Sequence, residues 1–393
     1  MDDRTDTNAF NKRLRRHIGG RVRAYFAVTA PGIEAWCHHE LVALGLGRDA
    51  AVVPGGVTFN GRFVDCQRAN LHLRTATRIL MRIDEFSATN ERQLKKKVAC
   101  IPWVLFLPAN PAPEINVRSR QSRLYHTKMI ANAIRTAISG RISSSLGSDH
   151  QMASQTIFVR AVHDRFTLSL DSSGAALYKR GLKEGPARAP IRETLAATIL
   201  MVAGYNPHQP LADSMCGSGT FSLEAAMQAK RIAAGMNRSF AFMQWPVFND
   251  SQWVFLKKEA QRQVLGLSTP RIFASDIDAR ACSRLTDVIR RNHLSDAVRV
   301  DHQDFFASTS DAYGSNPGLV VINPPYGIRL GSGRQADALF TNICRHLVQA
   351  FRGWTVAIVT PRRVPMRQLP FPARRMALAH GGLRLNLIIG SIQ

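Results

Sequence analysis

The sequence predicts an α/β protein with two parts, a basic α+β front half and a C-terminal open sheet of about seven strands. Three observations predict this class. Within residues 23–86, the strand and helix patterns follow the order β-α-β-β-α-β. Beyond residue 190, short apolar runs typical of buried strands alternate with helical patterns, as in a sheet covered by helices. Lys and Arg number 52 against 28 Asp and Glu, which gives a formal net charge of +24.

Length and composition indicate a large globular protein. A chain of 393 residues with 45% hydrophobic residues is long enough for two or three domains with a sizeable core. The acidic start is not followed by an apolar run, and no apolar run approaches the ~20 residues of a membrane span. We therefore expect no secretory signal and no membrane segment. We also expect the protein to be cytoplasmic and a monomer.

The charge favours a polyanionic partner, most simply nucleic acid. A solubilising charge or a membrane surface is the alternative, and the spread of basic residues over several segments disfavours it. The six cysteines form no C-x-x-C pair and no zinc-like spacing, so we expect reduced thiols and no metal site.

Two segments open the chain. Residues 1–22 are polar and then basic, and they predict a flexible tail that either contacts RNA phosphates or is simply solvated. Residues 23–86 predict a ferredoxin-like domain. Its elements are a strand at 23–29, a helix at 33–44, a hairpin at 52–59, a helix at 63–77 and a strand at 78–86.

Residues 87–171 predict a second α/β unit with a basic surface. A strand at 114–118 leads into a helix at 129–142, and a hairpin follows. Four basic side chains cluster near the amino end of that helix, where their charge and the free backbone N–H groups both favour a phosphate. An ordinary solvated basic face is the alternative. The four residues are Arg118, Arg120, Arg123 and Lys128.

Residues 172–190 are small, polar and basic, and they predict a linker into a final domain at 191–393. In that domain Asp213 ends a strand, and Gly217 and Gly219 in the following turn let the backbone pass close to a ligand. A lone G-x-G is weak evidence. This spacing, without the Gly-Lys-Ser/Thr of a P-loop, suits S-adenosylmethionine, which has an amino-acid tail and no phosphate. A tight strand–helix turn is the alternative.

Two further strand ends supply acidic residues. Asp276 is placed to accept hydrogen bonds from both ribose hydroxyls of a nucleotide-like cofactor. Asp278 is the predicted N-cap of the next helix. After the third strand, Asp304 can accept from an adenine amino group while Phe305 covers the ring. A turn aspartate is the alternative for Asp304.

The end of a fourth strand carries the predicted chemistry. Residues 319–322 form a short buried strand, and the prolines of Asn323-Pro-Pro-Tyr326 end it because proline cannot donate to a sheet ladder. An amide, two carbonyls and an aromatic face at this position suit a planar base with an exocyclic amino group. A strand-ending proline turn is the alternative. Arg329, in the Gly-rich loop that follows, is predicted to close over substrate RNA.

Several of these segments resemble the THUMP-containing class I RNA methyltransferases, most closely the guanine-N2 methyltransferases of 23S rRNA. The cofactor loop Asp213-Ser-Met-Cys-Gly-Ser-Gly-Thr220 and the catalytic loop Asn323-Pro-Pro-Tyr-Gly327 match that family. The resemblance covers nearly the whole chain after the tail. It extends to the domain junction, Leu177-Tyr-Lys-Arg-Gly-Leu182 and Ala189-Pro-Ile-Arg-Glu-Thr-Leu-Ala-Ala197, and to the opening Tyr25-Phe-Ala-Val-Thr-Ala-Pro-Gly-Ile-Glu34.

The resemblance implies S-adenosylmethionine as cofactor, a THUMP-type RNA-binding domain at 87–171 and a Rossmann-like methyltransferase domain at 191–393. One departure is that 63 residues separate Asp213 from Asp276, where ~20 are common. The intervening residues 237–253 resemble an insertion seen in this branch. By the same resemblance, Asp213, Gly217 and Gly219 hold the methionine part, Asp276 the ribose and Asp304 the adenine, while Asn323, Pro324, Pro325 and Tyr326 hold the target base.

Other functions share parts of this pattern. Asn-Pro-Pro-Tyr also occurs in adenine-N6 DNA methyltransferases and in glutamine methyltransferases that act on protein. The roughly 150 residues of basic α/β sequence before the linker favour RNA over both. Within RNA we expect 23S rRNA, with tRNA as the alternative. A non-catalytic RNA-binding assembly factor is a third interpretation, and the intact cofactor and catalytic residues argue against it.

Overall fold

A computed structural model of the chain describes residues 10, 12–108, 112–141, 155–183, 191–325, 333–361 and 369–393. These residues form two compact units that interleave along the sequence. Among them, no helix combines the length and the apolar character that crossing a membrane requires. The first unit contains the described residues up to Thr29 with Cys37–Leu177 and Arg238–Lys257, and the second contains Ala30–Trp36, Tyr178–Asn237 and Lys258–Gln393.

The first unit is built on a mixed sheet of seven strands in the order β2-β3-β1-β4-β7-β6-β5. Strands β5 and β6 are parallel, and the other neighbours are antiparallel. The strands are β1 (Arg23–Val28), β2 (Ala51–Val53), β3 (Gly56–Gly61), β4 (Arg78–Ser87), β5 (Glu114–Arg120), β6 (Thr156–Val162) and β7 (Arg165–Asp171), and the helices are α1 (Glu34–Ala43), α2 (Phe63–His72), α3 (Glu91–Ala99) and α4 (Thr127–Ser139).

The first four strands confirm the predicted ferredoxin-like connectivity. Their order β2-β3-β1-β4 is the one that two β-α-β halves produce when they interlock. The hairpin between β2 and β3 turns at Gly55, whose φ of 87° favours glycine. Strand β4 also pairs with β7, so the segments 23–86 and 87–171 share one continuous sheet.

Residues 238–257 pack in the first unit, although the sequence analysis placed them inside the final domain. The Phe63 ring at the start of α2 lies 6.0 Å from the Phe242 ring and 5.7 Å from the Trp245 ring, centroid to centroid. Trp245 Nε1 also donates to Gln155 Oε1 at 2.8 Å. The segment is therefore an aromatic part of the core of the first unit, a long-range arrangement that local pattern does not encode.

The second unit confirms the predicted sheet of seven strands, in the order β10-β9-β8-β11-β12-β14-β13. The first five strands of this order are parallel, and β14 runs antiparallel to both β12 and β13. The strands are β8 (Leu211–Ser214), β9 (Ile272–Asp276), β10 (Val298–His302), β11 (Leu319–Ile322), β12 (Thr355–Pro361), β13 (Ala373–His380) and β14 (Leu383–Ser391). Further α-helices among the described residues are α5 (Glu193–Val202), α6 (Thr220–Ala229), α7 (Asp250–Arg262), α8 (Ala279–Arg291) and α9 (Gly333–Ala350).

The central strands β8 and β11 are buried along their whole length. Successive residues point to opposite faces of the sheet, so Leu211 joins one apolar cluster and Ala212 the other. This double burial explains why both strands read as continuous apolar runs rather than alternating ones. It also leaves the loops at the strand ends as the exposed parts of the central sheet.

Part of the predicted linker is not a linker in the structure. Residues 178–183 pack in the second unit, where the Arg180 guanidinium forms an ion pair with Glu224 of α6, Nε to Oε1 2.8 Å. Both side chains are buried. The prediction failed here because the segment is small, polar and basic, and its charge is neutralised by a residue 44 positions away.

Candidate functional site

The predicted cofactor and catalytic residues lie along one edge of the second sheet. Asp213 of β8 pairs in register with Val321 of β11, two residues before Asn323. On the other side, Ser214 pairs with Ser275 of β9, and Asp276 pairs with His302 of β10, two residues before Asp304. Four neighbouring parallel strands therefore end at this edge, over a width of about 14 Å at the usual strand spacing.

This edge contains the topological switch point of the sheet. The chain passes from β8 outward through β9 to β10, then returns to β11 on the opposite side of β8. Loops after β8 and β11 therefore lead away in opposite directions and open a crevice between them. The structure brings the loop after Asp213 and the segment that starts at Asn323 to the two sides of this crevice.

The turn after β8 is held by backbone hydrogen bonds. The N–H groups of Met215 and Cys216 both donate to the Ser275 carbonyl at 2.9 Å. Met215, Gly217 and Gly219 have φ of 97°, 53° and 67°. A Cβ at Gly219 would lie 2.3 Å from Leu285 Cδ1, so glycine is required there for close packing against α8. A Cβ at Gly217 would have no neighbour within 4 Å among the described residues, so space for a ligand is open at that position.

Asp213 supports this turn from below. Its carboxylate is 2% exposed, and Oδ2 accepts from Ser222 N at 3.1 Å and from Ser222 Oγ at 2.6 Å. Burial raises the pKa of Asp213 to about 6, and the hydrogen bonds from Ser222 oppose that rise. Asp213 thus fixes the first turn of α6, and its predicted direct contact with the methionine part stays a prediction.

Asp276 links two loops of the site. Its Oδ2 accepts from Gly217 N at 2.8 Å, and its Oδ1 accepts from Asp278 N at 2.9 Å. Each carboxylate oxygen has a second lone pair, so these bonds leave acceptor capacity for ribose hydroxyls. Asp278 caps α8 as predicted, with Oδ1 accepting from Arg280 N at 2.9 Å.

The adenine end of the predicted site differs from expectation at one residue. Asp304 is exposed, and its Oδ1 accepts from Phe306 N. The Phe305 ring is only 3% exposed because it packs in the core beside His346 and Phe351. A ring that covers adenine must offer a face to the cofactor, so Phe305 does not fit the predicted role. The adjacent Phe306 is 40% exposed and offers such a face.

The predicted catalytic loop is described in part. Asn323 follows β11 directly and is half-buried, Pro324 is buried and Pro325 is half-buried. These three residues lie at the carboxyl end of a central strand, as predicted. Tyr326 and Arg329 lie outside the described residues.

A lysine of the predicted linker joins the site, which the sequence analysis missed. Lys183 Nζ lies 2.7 Å from Thr220 Oγ1 and 3.2 Å from Ser218 Oγ, at the start of α6. Glu193 Oε1 of α5 is 3.8 Å from the same ammonium. The signal available in the sequence was that Lys183 follows the Leu177–Leu182 junction segment. Burial lowers the pKa of Lys183 and raises that of Glu193.

These residues fit S-adenosylmethionine. The crevice offers open space at Gly217, acidic acceptors at Asp276 and Asp304, and an ammonium at Lys183. The cofactor has ribose hydroxyls and an adenine amino group to donate, and a carboxylate to accept. Among the described residues, no group of three or more His, Cys, Asp or Glu side chains is placed to hold a metal ion.

Cys216 in the turn has no features of a nucleophile. Its side chain is buried, and burial raises the pKa of the thiol far above its usual value. The nearby carboxylates of Asp213 and Asp276 raise it further. The thiol therefore stays protonated, and its burial indicates that it packs inside the loop.

The predicted RNA-binding residues are exposed in the first unit. Arg118 and Arg120 lie on the edge strand β5, Arg123 follows it, and Lys128 is in the first turn of α4. Arg123 also approaches Asp164, Nε to Oδ2 3.7 Å. The four cations therefore lie on the edge strand β5, just after it and in the first turn of α4. Their predicted contact with a phosphate stays a prediction.

The register of the sheet adds arginines that the sequence analysis missed. Arg160 of β6 pairs with Arg118, and the alternation of side chains places Arg165 and Arg82 on the same face. The signal was the alternation within residues 156–162, but the pairing that joins the strands is not local. We call this surface the arginine face, and it consists of Arg82, Arg118, Arg120, Arg160 and Arg165.

Aromatic rings hold arginines at one end of this sheet. The Arg82 guanidinium lies 4.7 Å from the Phe26 ring centroid and donates to Ser169 Oγ at 2.8 Å. The Arg23 guanidinium lies 5.0 Å from the Phe106 ring centroid. Both arginines line a cavity of about 410 Å³. Guanidinium groups stacked on rings are the arrangement that proteins use for phosphates and unpaired bases.

Comparison with known families agrees with this site. Residues 180–375 match the family model described as the RMKL-like methyltransferase domain, and residues 24–80 match the RlmL ferredoxin-like domain. The first match begins at Arg180, so it includes Lys183 together with Asp213, Asp276 and Asn323. The second match begins in β1 and ends within β4, so it covers the ferredoxin-like part of the first unit.

Relatives with related names span nearly the whole chain. A Synechocystis protein named as a candidate RNA methyltransferase is 29% identical over 391 residues, which are 98% of each chain. The structure of SMU.472, a methyltransferase candidate in complex with S-adenosylhomocysteine, is 28% identical with a TM-score of 0.83, over 95% of this chain and 99% of that one. A Listeria monocytogenes structure named as a predicted N6-adenine-specific DNA methylase is 28% identical with a TM-score of 0.84, over 94% of this chain and 96% of that one. The chain therefore contains an RMKL-like methyltransferase domain preceded by an RlmL ferredoxin-like domain, and it uses S-adenosylmethionine as its cofactor.

Proposed function

We propose that this methyltransferase acts on RNA and forms N2-methylguanine in large-subunit (23S) rRNA. The observation that carries the proposal is the position of Asn323, directly after a central strand and across the switch-point crevice from the Gly217 turn. This position sets an amide next to the cofactor site, where ligands of open α/β sheets bind. A guanine presents an exocyclic amino group that such an amide oxygen can accept from.

Methyl transfer requires the protein mainly to orient the target amino group toward the methyl donor. S-adenosylmethionine, when bound, supplies a methyl group activated by its positively charged sulfur. Asn323 Oδ1 and the Pro324 carbonyl accept from the N2 amino group, which directs the nitrogen lone pair toward the methyl donor. Pro324 and Pro325 keep these acceptors rigid because their rings fix φ. The proton leaves the nitrogen after the new bond has formed, so no strong general base is required.

Two features support RNA as the substrate. The Synechocystis relative is named as a candidate RNA methyltransferase, and the first unit carries the arginine face and the arginine-lined cavity. A surface of fixed arginines with neighbouring rings suits the phosphates and splayed bases of single-stranded RNA segments. We propose accordingly that residues 87–171 act as a THUMP-type RNA-binding domain.

The substrate class is tested by tritiated-methyl transfer. The purified chain is incubated with separated 23S rRNA, tRNA and DNA from a deletion strain, and the labelled nucleoside is identified. Label as N2-methylguanine in 23S rRNA is the expected result. Label in tRNA selects the tRNA alternative, and N6-methyladenine in DNA selects the activity that the name of the Listeria relative describes. Either of these results overturns the rRNA assignment.

The role of Asn323 is tested in the same assay. Asn323→Ala should lower methyl transfer at least ~100-fold while cofactor affinity is kept, because only the acceptor for the base is lost. Asn342→Ala, an exposed position on α9, is the matched control and should keep full turnover. Full turnover by the Asn323 variant would remove this residue from the mechanism.

The role of the arginine face is tested by RNA binding. Arg118→Glu with Arg160→Glu should weaken binding and lower the slope of log affinity against log salt, because fewer phosphates are neutralised. Arg262→Glu reverses the charge of an exposed arginine of α7 that is not part of the arginine face, and it should have little effect. If the Arg118/Arg160 double variant and the Arg262 variant weakened RNA binding equally, the effect would be one of general charge rather than of a binding surface.

A further inference from the structure

Lys183 is a cation held at the amino end of α6. Its ammonium contacts the hydroxyl oxygens of Thr220 and Ser218, and both hydroxyls belong to the loop and helix start that follow Asp213. The side chain is 17% exposed, so a small part of it remains accessible. Among the described residues, the nearest carboxylate oxygen is that of Glu193 at 3.8 Å, beyond hydrogen-bonding distance.

This placement is electrostatically costly without an anion. The amino end of a helix carries about half a positive charge, so a nearby ammonium is repelled. Partial burial removes much of the water that would otherwise solvate the charge. Two hydroxyl oxygens, the Glu193 carboxylate at 3.8 Å and the carboxylates of Glu224 and Asp213 offset part of this cost, and burial still lowers the pKa of Lys183 overall. An anionic group bound beside both Lys183 and the first turn of α6 would be stabilised by both positive charges.

We propose that Lys183 binds the α-carboxylate of S-adenosylmethionine, at the end of the cofactor opposite the adenine. The hydroxyls of Ser218 and Thr220 hold the ammonium in place, and Glu193 stays far enough away to leave it available. The inference rests on the cofactor and on the contacts of Lys183, and it does not depend on the proposed RNA substrate. It assigns the anionic part of the cofactor to a residue outside the glycine turn.

A purely structural role for Lys183 makes a different prediction. If the lysine only ties residues 178–183 to α6, its removal weakens the site as a whole and lowers the affinity for every ligand in similar measure. A carboxylate contact affects only ligands that have the carboxylate. S-adenosylmethionine and decarboxylated S-adenosylmethionine form a matched pair, because both keep the sulfonium, the amino group and the adenosine.

The experiment is calorimetric binding of both ligands to the full chain. Wild type should bind S-adenosylmethionine at least ~20-fold more tightly than the decarboxylated ligand, as expected for a charge-assisted contact. Lys183→Met should remove most of this preference and change affinity for the decarboxylated ligand less than ~3-fold. Lys183→Arg should keep the preference, and Lys258→Met, an exposed lysine on α7, should match wild type.

Several outcomes would overturn the proposal. Equal affinity of wild type for the two ligands would exclude a carboxylate contact, whether or not the variants fold. An equal loss of both ligands in Lys183→Met would indicate the structural role instead. A wild-type chain that binds neither ligand would contradict the cofactor itself, and the RNA assays would then be judged separately.

Discussion

The carboxylate of Asp276 accepts a hydrogen bond from the backbone N–H of Gly217 at 2.8 Å. Asp276 ends β9 and Gly217 lies in the turn after the neighbouring parallel strand β8, yet the two residues are 59 positions apart in the sequence. The same carboxylate accepts from Asp278 N. Asp276 therefore fixes the glycine turn relative to the loop that would hold the ribose, so it shapes the cofactor site as well as contributing acceptors to it.

Asp276→Ala should lower the affinity for S-adenosylhomocysteine at least ~10-fold, because it removes both the ribose acceptor and the bond to Gly217. Asp278→Ala is a control two residues away. It removes the cap of α8 and should cost ~1 kcal/mol of stability while affinity is kept. Calorimetry with urea unfolding measures both. Similar affinity losses in the two variants would contradict a specific role for Asp276.

The two glycines of the turn should respond differently to alanine. Gly219→Ala puts a Cβ 2.3 Å from Leu285 Cδ1 at a φ of 67°, and should cost about 2–4 kcal/mol of stability. The Cβ of Gly217→Ala would have no described atom within 4 Å, so only the strain of alanine at a φ of 53° lowers the stability, by about 1 kcal/mol. Its methyl group occupies ligand space, however, and affinity for S-adenosylhomocysteine should fall at least ~10-fold.

Urea unfolding measures the stability of the two glycine variants, and calorimetry measures their affinity for S-adenosylhomocysteine. Gly219→Ala should cost less stability when it is introduced into the Leu285→Ala variant than when it is introduced into wild type, because the clash with the Leu285 side chain is then absent. Unchanged affinity in Gly217→Ala would mean that the cofactor does not approach this glycine.

The sequence predicted the parts of the site that local pattern encodes. Asp213, Asp276 and Asn323 each follow a short apolar strand, and parallel strands end at one edge of a sheet, so their proximity followed from the fold class. The prediction that Phe305 covers the adenine was wrong because the alternation of strand side chains ends at the turn after β10. Which of two adjacent rings faces the core then depends on the short helical turn there, not on alternation.

Long-range packing set the remaining differences. Lys183 and Arg180 lie in a small, polar and basic segment that reads as a linker, and their partners Thr220 and Glu224 lie 37 and 44 residues away. Residues 238–257 pack in the first unit through rings that contact Phe63. Neither arrangement is indicated by hydrophobic periodicity or by turn-forming residues in the sequence.

The adjacent rings Phe305 and Phe306 should separate stability from cofactor binding. Phe305→Ala removes a core ring and should cost about 3–5 kcal/mol of stability. Phe306→Ala should cost well under 1 kcal/mol, yet lower the affinity for S-adenosylhomocysteine by ~5- to 20-fold if its exposed ring stacks on adenine. Urea unfolding and calorimetry measure the two effects. An unaffected affinity in Phe306→Ala would leave the adenine without this partner.

The buried pair of Arg180 and Glu224 should show the cost of an unpaired charge. Arg180→Met leaves the Glu224 carboxylate buried without its cation and should cost about 3–5 kcal/mol of stability. Adding Glu224→Gln should recover part of that loss, because the buried charge is then gone. Arg262→Met, from the exposed pair with Glu259, should change stability by less than ~0.5 kcal/mol. Comparable losses at both arginines in urea unfolding would contradict the effect of burial.

The carboxyl of Asp213 should make stability depend on pH. Its folded-state pKa is raised to about 6 by burial, above the ~3.9 of an unfolded aspartate. The folded state therefore binds more protons between these values, and stability is lost as pH rises from about 4 through 6, by about 3 kcal/mol in total. Asp213→Asn keeps an acceptor for Ser222 but cannot ionise. The difference in unfolding free energy between the variant and wild type should therefore shift in favour of the variant from pH 4 to 6 and remain constant at higher pH. Urea unfolding of both proteins at pH 4 to 8 measures the difference. A difference that does not change with pH would place the pKa of Asp213 near its ordinary value.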